Sequence, residues 1–184
     1  KKCALQVSLF YKNKVICSEE IKHCRKENRI NFTSLSVKEW SAEIPNLYTL
    51  VLTLKNGDRT VETVGKKIGF KHIEIKGNVF YFNNKPIKLL GVNHHDTNPK
   101  TGYYMTVKDM EKDVKLFKQY NMNCVRTSHY PPDPVFLDLC DKYGIYVIDE
   151  ADIECHGVAR IPELRRSVSH NSEWKVHFWD RVSR

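Results

Sequence analysis

The sequence has no long hydrophobic run and no recognisable targeting segment. Nowhere in its 184 residues does an apolar stretch approach the roughly 20 residues that a membrane-spanning helix requires. Residues 1–10 place charge ahead of a short alternating stretch, without the apolar segment and small-residue cleavage site of a signal peptide. Because that stretch already resembles a strand, we expect the protein's own N-terminus to lie upstream. We predict no membrane partner and a cytoplasmic location.

Cysteine is sparse and unclustered. Six cysteines are too few for the disulfide framework of a small secreted domain, and no close pair has the spacing of zinc ligands. We therefore predict free, mostly buried thiols. The six are Cys3, Cys17, Cys24, Cys124, Cys140 and Cys155.

The signatures that normally accompany nucleic-acid binding are also missing, although the formal net charge is +8. The positive charge is concentrated in residues 1–70, which hold 13 Lys and Arg against 7 Asp and Glu, interspersed with apolar residues as on the solvent face of a sheet. No zinc knuckle, RNP-like aromatic pattern or glycine-rich clamp accompanies them. We predict no nucleic-acid partner. The 41% of apolar and 28% of charged residues are typical of a soluble globular protein.

Residues 1–72 show the alternation of apolar and polar residues that is typical of β-strands. Leu5, Val7 and Leu9 alternate with polar residues, and residues 48–54 repeat the pattern. Asn56-Gly57-Asp58 lies between two such runs, and an Asn-Gly pair supplies the positive φ angles of a tight hairpin turn. The pattern predicts an antiparallel β-sandwich. Because about 70 residues is short for an immunoglobulin-like unit of roughly 100, we expect it to be incomplete at its N-terminal side.

From residue 73 onward, predicted strands alternate with predicted helices. After a hairpin at Asn83-Asn84, largely apolar strands and amphipathic helices favour a parallel sheet covered on both faces. Two and a half such units cannot close an eight-stranded barrel, so they form either part of a barrel or a small open sheet. The strands are predicted at 87–92, 122–126 and 145–148. The first helix begins at Thr106, which forms a capping box with Asp109, and the second begins at Pro134 and ends before Gly144. A third helix begins at Glu173.

Polar residues directly follow each of the three predicted parallel strands. The carboxyl ends of parallel strands lie at one edge of the sheet, where barrels and open α/β sheets place their sites. One such group would be unremarkable, since a histidine at a strand end is usually a hydrogen-bonded structural residue, but three groups at one edge indicate a functional site. The groups are Asn93, His94, His95 and Asp96; Arg126, Thr127, Ser128, His129 and Tyr130; and Asp149, Glu150, Asp152, Glu154 and His156.

Arg126 and two histidines have residue types that suit a sugar pocket. A partly buried arginine needs a carboxylate partner, and the structural alternative for Arg126 is a salt bridge to Asp149 on the adjacent strand. His95 and His129 can each donate hydrogen bonds to sugar hydroxyls, or stabilise an oxocarbenium-like transition state through neighbouring charge.

Glu154 and His156 form a candidate pair of metal ligands. They are separated by one residue, and in an extended segment that spacing points both side chains to the same side. On softness alone, a Glu and a His suit zinc or manganese better than magnesium, because magnesium prefers oxygen and keeps its waters. Two ligands by themselves do not define a metal site.

An ordered series of segments within residues 40–157 resembles family 2 of the glycoside hydrolases. Each segment alone is a weak match, but the set in this order is specific. The last segment is similar to the β-galactosidase branch in particular, whereas β-glucuronidases differ after the Asp-Glu pair. The segments are Trp40 to Tyr48, Ile68 to Phe70, Phe82 to Pro86, Gly91 to His95, Val125 to Pro131, Asp149-Glu150, and Glu154 to Gly157.

The resemblance implies an immunoglobulin-like β-sandwich over residues 1–72, followed by the first three β/α units of a (β/α)8 TIM barrel over residues 73–184. It implies a homo-oligomeric parent protein, a retaining β-galactosidase that hydrolyses terminal β-D-galactosides. His95 and His129 match histidines that line the galactose pocket, and Arg126 matches an arginine that contacts the nucleophilic carboxylate. Glu154 and His156 match two protein ligands of an active-site Mg²⁺.

The resemblance also implies that the chemistry needs residues outside this chain. The family's acid/base glutamate follows the fourth strand and its nucleophilic glutamate lies further on, beyond Arg184. Retaining hydrolysis needs both carboxyls, about 5 Å apart, so we predict that the 184 residues alone are inactive.

Three positions depart from the family pattern. The family usually has a basic residue such as Arg at the position of His94, Glu at that of Asp96 and Asn at that of Asp152.

Two alternative readings of the function stay open. A β-glucuronidase or β-mannosidase would share the Asn-Lys-Pro and Ser-His-Tyr-Pro segments, though not the whole third group. A non-catalytic carbohydrate-binding module is the alternative from another class. Trp40 tests it, because we expect this ring to pack in the core rather than to present a sugar platform.

Overall fold

The computed structural model describes residues 3–164 and 168–184 and divides into two compact units. The first unit is Lys1–Lys88 and the second unit is Leu89–Arg184. Residues 73–88 group with the first unit, and the predicted domain boundary after residue 72 stays a prediction. Within the described residues, no helix combines the length and the apolar character needed to cross a membrane.

The first unit contains a four-stranded antiparallel sheet with the strand order β2-β1-β3-β4. The predicted turn is confirmed in position, since β3 and β4 pair as far as Asn56 and Arg59 on either side of it. Of the Asn-Gly pair, only Gly57 has a positive φ, +62°, and Asn56 is the last residue of β3. The described part of residues 1–65 contains strands and no helix, as expected. The strands are β1 (Cys3–Tyr11), β2 (Lys14–Ile21), β3 (Tyr48–Asn56) and β4 (Arg59–Ile68).

Aromatic rings pack beside this sheet. Trp40 is 5% exposed, and its ring meets that of Phe82 edge-on at 5.8 Å. Tyr48 is also buried and meets Phe70 edge-on at 5.1 Å. Gly69 lies against the indole, since a Cβ at this position would be 2.8 Å from the Cβ of Trp40. Trp40 is therefore a core residue, and its ring offers no platform for a sugar.

A small second sheet completes the first unit. It consists of β5 (Ile73–Lys76), β6 (Val79–Phe82) and β7 (Lys85–Pro86). The predicted hairpin at Asn83-Asn84 is confirmed, because both residues have positive φ angles, 50° and 62°, as a primed turn between right-twisted strands requires.

The second unit contains three strands, which are parallel, as predicted, and lie in the order β10-β9-β8. They are β8 (Gly91–His94), β9 (Cys124–Thr127) and β10 (Tyr146–Ile148), and the helices are α1 (Val107–Gln119), α2 (Pro134–Tyr143), α3 (His156–Ala159) and α4 (Lys175–Ser183). Short 3-10 turns occur at Pro162–Leu164 and Ser172–Trp174.

The predicted strand at 87–92 is wrong for its first four residues, 87–90. Pairing with β9 begins at Gly91, and the two leucines before it, Leu89 and Leu90, are exposed. The Leu90 N–H donates instead to the side-chain oxygen of Asn123 at 2.8 Å, while the Asn123 N–H donates to the Leu90 carbonyl at 2.9 Å. The apolar run therefore did not mark a buried strand.

One hydrophobic core holds the second unit together. Val125 of β9 and Ile145 are packed with Val114 of α1, and with Phe136 and Cys140 of α2, each at most 1% exposed. Both helices contribute to this single cluster, so α1 and α2 pack on the face of the sheet that carries Val125. All six cysteines are free, as predicted. However, only Cys124 and Cys140 are buried, so the expectation of mostly buried thiols is wrong.

Candidate sugar and metal site

Strand register decides which polar side chains of the second unit meet. Arg126 of β9 is in register with Asn93 of β8 and with Ile148 of β10. Successive strand residues alternate between faces, so Glu150, two residues beyond Ile148, falls on the same face as Arg126. We call the face that carries Asn93, Arg126 and Glu150 the site face. The opposite face, which carries Val125, is the helix face.

Glu150 connects two of the predicted substrate-binding residues on the site face. Its Oε1 accepts from Nε of Arg126, and its Oε2 lies 2.9 Å from Nδ1 of His129. Nη1 of Arg126 donates to Oδ1 of Asn93 at 3.3 Å. The hydrogen bond with His129, supported by the Arg126 guanidinium, holds the pKa of the Glu150 carboxyl below its ordinary value. Glu150 is therefore a carboxylate at neutral pH.

The alternative partner for Arg126, Asp149, is wrong. Asp149 lies one residue earlier than Glu150 and so on the helix face, where its Oδ1 accepts from the hydroxyl of Thr127 at 3.1 Å. Thr127 is buried, and its hydroxyl also accepts from the Glu150 backbone N–H at 3.0 Å. The start of the loop after β10 is thus fastened to the end of β9.

The other predicted site residues continue the same group. The His95 ring lies 5.7 Å from that of His129, edge-on, and the His129 ring lies 6.2 Å from that of His156. His156 in turn contacts Glu154 through Nδ1 and Oε1. His95, Arg126, His129, Glu154 and His156 therefore converge at the carboxyl end of the parallel strands. The Ser128–His129 peptide bond within this group is cis.

Glu154 and His156 meet as a possible pair of ligands, although not in the extended conformation that we expected. His156 is the first residue of α3, and Glu154 precedes this short helix. Oxygen and imidazole nitrogen at one point are donors that a divalent cation accepts. Within residues 3–164 and 168–184, no three His, Cys, Asp or Glu side chains group closely enough to hold a metal ion. The pair therefore fits a metal only as part of a larger ligand set.

The three positions that depart from the family pattern serve local contacts. His94 lies on the helix face, where its ring is stacked on Phe136 at 4.8 Å and its Nε2 lies 3.1 Å from Oδ2 of Asp113 in α1. Asp96 approaches the other ring nitrogen of His94 at 3.6 Å. Asp152 forms an ion pair with Arg181 of α4 at 2.6 Å. His94 therefore belongs to the helix packing, unlike its neighbour His95.

Sequence reasoning missed the part that Glu150 and Asn93 play. Both were recognised as polar residues at strand ends, but neither was assigned a role. The signal that identifies them is the register: in a parallel sheet, residues on the face of Arg126 lie opposite it or two positions further along the neighbouring strand.

Comparisons with known proteins identify the family of the chain. Residues 2–71 match the family model "Glycosyl hydrolases family 2", and residues 73–184 match "Glycosyl hydrolases family 2, TIM barrel domain". The chain is 42% identical over 151 residues to the β-galactosidase of Actinobacillus pleuropneumoniae and 47% identical over 131 residues to that of Streptococcus thermophilus. These matches cover 80% and 71% of the chain, and 14% and 13% of the relatives.

Solved structures give the same family. A β-glucuronidase from Parabacteroides merdae is similar, with a TM-score of 0.72 and 28% identity over 80% of this chain and 19% of that one. A family 2 member from Bacteroides cellulosilyticus is similar, with a TM-score of 0.73 and 27% identity over 82% and 22% of the two chains. The chain thus spans about one seventh of the length of the curated relatives it matches. It belongs to family 2 of the glycosyl hydrolases.

Proposed function

We propose that this chain forms part of the active site of a retaining β-galactosidase that hydrolyses terminal β-D-galactosides. His95, Arg126 and His129 bind the substrate, and Glu154 and His156 are two ligands of an Mg²⁺ ion. The observation that carries the proposal is the convergence of these five residues, in which His129 lies between His95 and the Glu154–His156 pair. The curated relatives at 41–47% identity are named β-galactosidases.

The experiment is a substrate panel on the full-length protein that contains this chain. Three chromogenic glycosides with the same leaving group, a β-galactoside, a β-glucuronide and a β-mannoside, are compared by kcat/KM. We expect the β-galactoside to give the highest value. A higher value for either of the other sugars would reject the proposal and select that activity instead.

β-Glucuronidase activity is the second candidate. It is supported by the β-glucuronidases among the similar solved structures, at 24–28% identity. The chain is more similar to the curated β-galactosidases than to these structures, and this difference favours a galactoside.

For the metal, the oxygen of Glu154 and the nitrogen of His156 would supply two ligands, and a bound Mg²⁺ would place positive charge and ordered water beside the sugar. The donor set also admits Mn²⁺ and Zn²⁺. Equilibrium dialysis of the metal-stripped full-length protein compares the three ions. We expect Mg²⁺ binding that Glu154→Gln weakens. Binding unchanged by this substitution would remove Glu154 from the ligand set.

The 184 residues by themselves should hydrolyse no β-galactoside. The nearest carboxylates are both engaged: Glu150 with Arg126 and His129, and Glu154 with His156. Neither is placed as a proton donor or nucleophile, and each of those functions contributes several orders of magnitude. Turnover by the isolated chain that survives removal of host enzymes, and is lost in Glu150→Gln or Glu154→Gln, would contradict this.

The finer architecture is part of the same proposal. We infer that the four-stranded sheet is one layer of an immunoglobulin-like sandwich, and that β8, β9 and β10 are the first three strands of an eight-stranded barrel. A homo-oligomeric assembly and a cytoplasmic location belong to this proposal for the whole protein.

A further inference from the structure

We propose that Glu150 is a positioning residue of the sugar pocket, whose two carboxylate oxygens hold Arg126 and His129 in the orientations in which they meet the substrate or a reacting group. The inference rests on the proposed function, because that function assigns Arg126 and His129 to the substrate.

The geometry is that of one carboxylate shared by two side chains. Oε1 accepts from Nε of Arg126, and Oε2 accepts from Nδ1 of His129 at 2.9 Å. Because the two oxygens belong to one rigid group, they fix the guanidinium and the imidazole relative to each other, and Nη2 of Arg126 lies 3.5 Å from Nδ1 of His129. Removing the carboxylate would take away the acceptor that the two groups share.

Counting hydrogen-bond donors shows which atoms Glu150 leaves available. A carboxylate only accepts, so Nδ1 of His129 carries the proton, and Nη2 of Arg126 cannot donate to it. Arginine has five N–H groups. Glu150 takes the one on Nε, and Asn93 takes one on Nη1. Both N–H groups of Nη2 then have no partner assigned by these contacts and can donate to oxygen atoms of a ligand, and Nε2 of the neutral His129 ring can accept from a ligand hydroxyl.

Glu150 is itself held at the end of β10. Its backbone N–H donates to the buried hydroxyl of Thr127 at 3.0 Å, and that hydroxyl donates to Asp149 at 3.1 Å. The lowered pKa of Glu150 keeps it charged, so both of its contacts are charge-assisted. A charged group anchored through its backbone and held on both oxygens is suited to orient its partners.

Glu150→Gln in the full-length protein tests the proposal by kinetics. The amide keeps the shape but offers one acceptor and one donor in place of two acceptors. It can satisfy both partners only if His129 takes the tautomer protonated at Nε2, which reverses the role of that nitrogen towards the sugar. We expect kcat/KM for the β-galactoside to fall roughly 10²-fold, mainly through kcat, because the groups that meet the sugar no longer fit the transition state. Glu150→Asp keeps the charge and should recover part of the loss.

The matched control is Glu111→Gln. Glu111 is a carboxylate of α1 with similar exposure, bound to Tyr143 and Lys142 away from the site face. We expect it to leave kcat and KM unchanged. Equal losses in both variants, or no rescue by Glu150→Asp, would overturn the positioning role.

A second measurement does not depend on activity. In crystal structures of the full-length protein and its Glu150→Ala variant, which lacks both carboxylate oxygens, Arg126 or His129 should leave its place while Thr127 and Phe136 stay. Both side chains unmoved would overturn the inference, whichever glycoside the protein hydrolyses. Absence of β-galactoside turnover in the wild type, with Arg126 or His129 displaced in the variant, would reject the proposed function and support the inference.

Discussion

The two units use polar side chains in different ways. In the first unit, they fasten loops to the chain: the Asn83 amide donates to the Trp40 carbonyl at 2.9 Å, and the Tyr11 hydroxyl donates to Asn46 at 2.8 Å. In the second unit, polar side chains bind one another at the ends of parallel strands, as Arg126 and His129 do through Glu150. The first pattern stabilises a scaffold, whereas the second leaves donors available for a ligand.

Strand direction explains the difference. Antiparallel strands end alternately at opposite edges, so their terminal residues are dispersed, whereas parallel strands bring their carboxyl ends to one edge. If this contrast holds, substitutions in the packed core and in the scaffold should change stability, whereas substitutions on the site face should chiefly change activity.

Phe136→Ala should have the largest effect. The ring is fully buried among residues of α1, α2 and the sheet, and its removal leaves a cavity. We expect the free energy of unfolding to fall by about 3–5 kcal/mol in urea titrations. Tyr120→Ala, at a position 72% exposed, is the control. A loss below about 1 kcal/mol for Phe136→Ala would mean that this core does not hold the site in place.

Arg126→Ala should chiefly affect activity. The change removes the N–H groups that face a ligand and leaves Glu150 with one partner fewer. In the full-length protein we expect kcat/KM to fall roughly 10²-fold, equivalent to about 3 kcal/mol of transition-state stabilisation. A steady-state assay with a chromogenic β-galactoside measures this. Activity near that of the wild type would show that the contacts among Asn93, Arg126 and Glu150 on the site face are structural only.

Gly69→Ala tests the aromatic packing of the first unit. The added methyl group would lie 2.8 Å from Cβ of Trp40, so the indole must shift. We expect a loss of about 1–3 kcal/mol in the free energy of unfolding, the usual range for overpacking. Gly65→Ala in β4 is the matched control, since open space surrounds its Cβ position. Equal losses in the two variants would show that contact with Trp40 is not the cause.

Glu111 should give the smallest effect, a change of stability with pH. Hydrogen bonds from Tyr143 and Lys142 lower its pKa from the ordinary 4.5 to about 2. A carboxyl whose pKa is lowered in the folded state stabilises it above the unfolded pKa, and this contribution is lost as pH falls from about 4.5 to about 2. Melting temperatures of wild type and Glu111→Gln should therefore differ at neutral pH and converge in acid. A constant difference across this range would show that ionisation of Glu111 is not involved.

Local signals in the sequence predicted the helix boundaries well. Thr106 and Asp109 form the capping box in the structure, and α2 runs from Pro134 to Tyr143 with Gly144 in the left-handed conformation after it. Each of these signals depends on residues within one or two turns of the helix end. The strand prediction was wrong at residues 87–90, because an apolar run carries no information on which backbone groups pair.

The sequence predicted where the site lies, but not which carboxylate binds Arg126. That Arg126, His95 and His129 would meet follows from their position after the carboxyl ends of parallel strands, whereas the choice between Asp149 and Glu150 depends on a shift of one residue between two strands. Such a shift reverses which face a side chain occupies, and sequence alone does not determine it.

The most direct test of the central claim is a crystal structure of the full-length protein with bound galactose. We predict sugar hydroxyls within about 3.2 Å of ring nitrogens of His95 and His129, with Glu150 still bridging Arg126 and His129. Galactose bound away from the carboxyl ends of β8, β9 and β10, with no contact to either histidine, would contradict the assignment of this site.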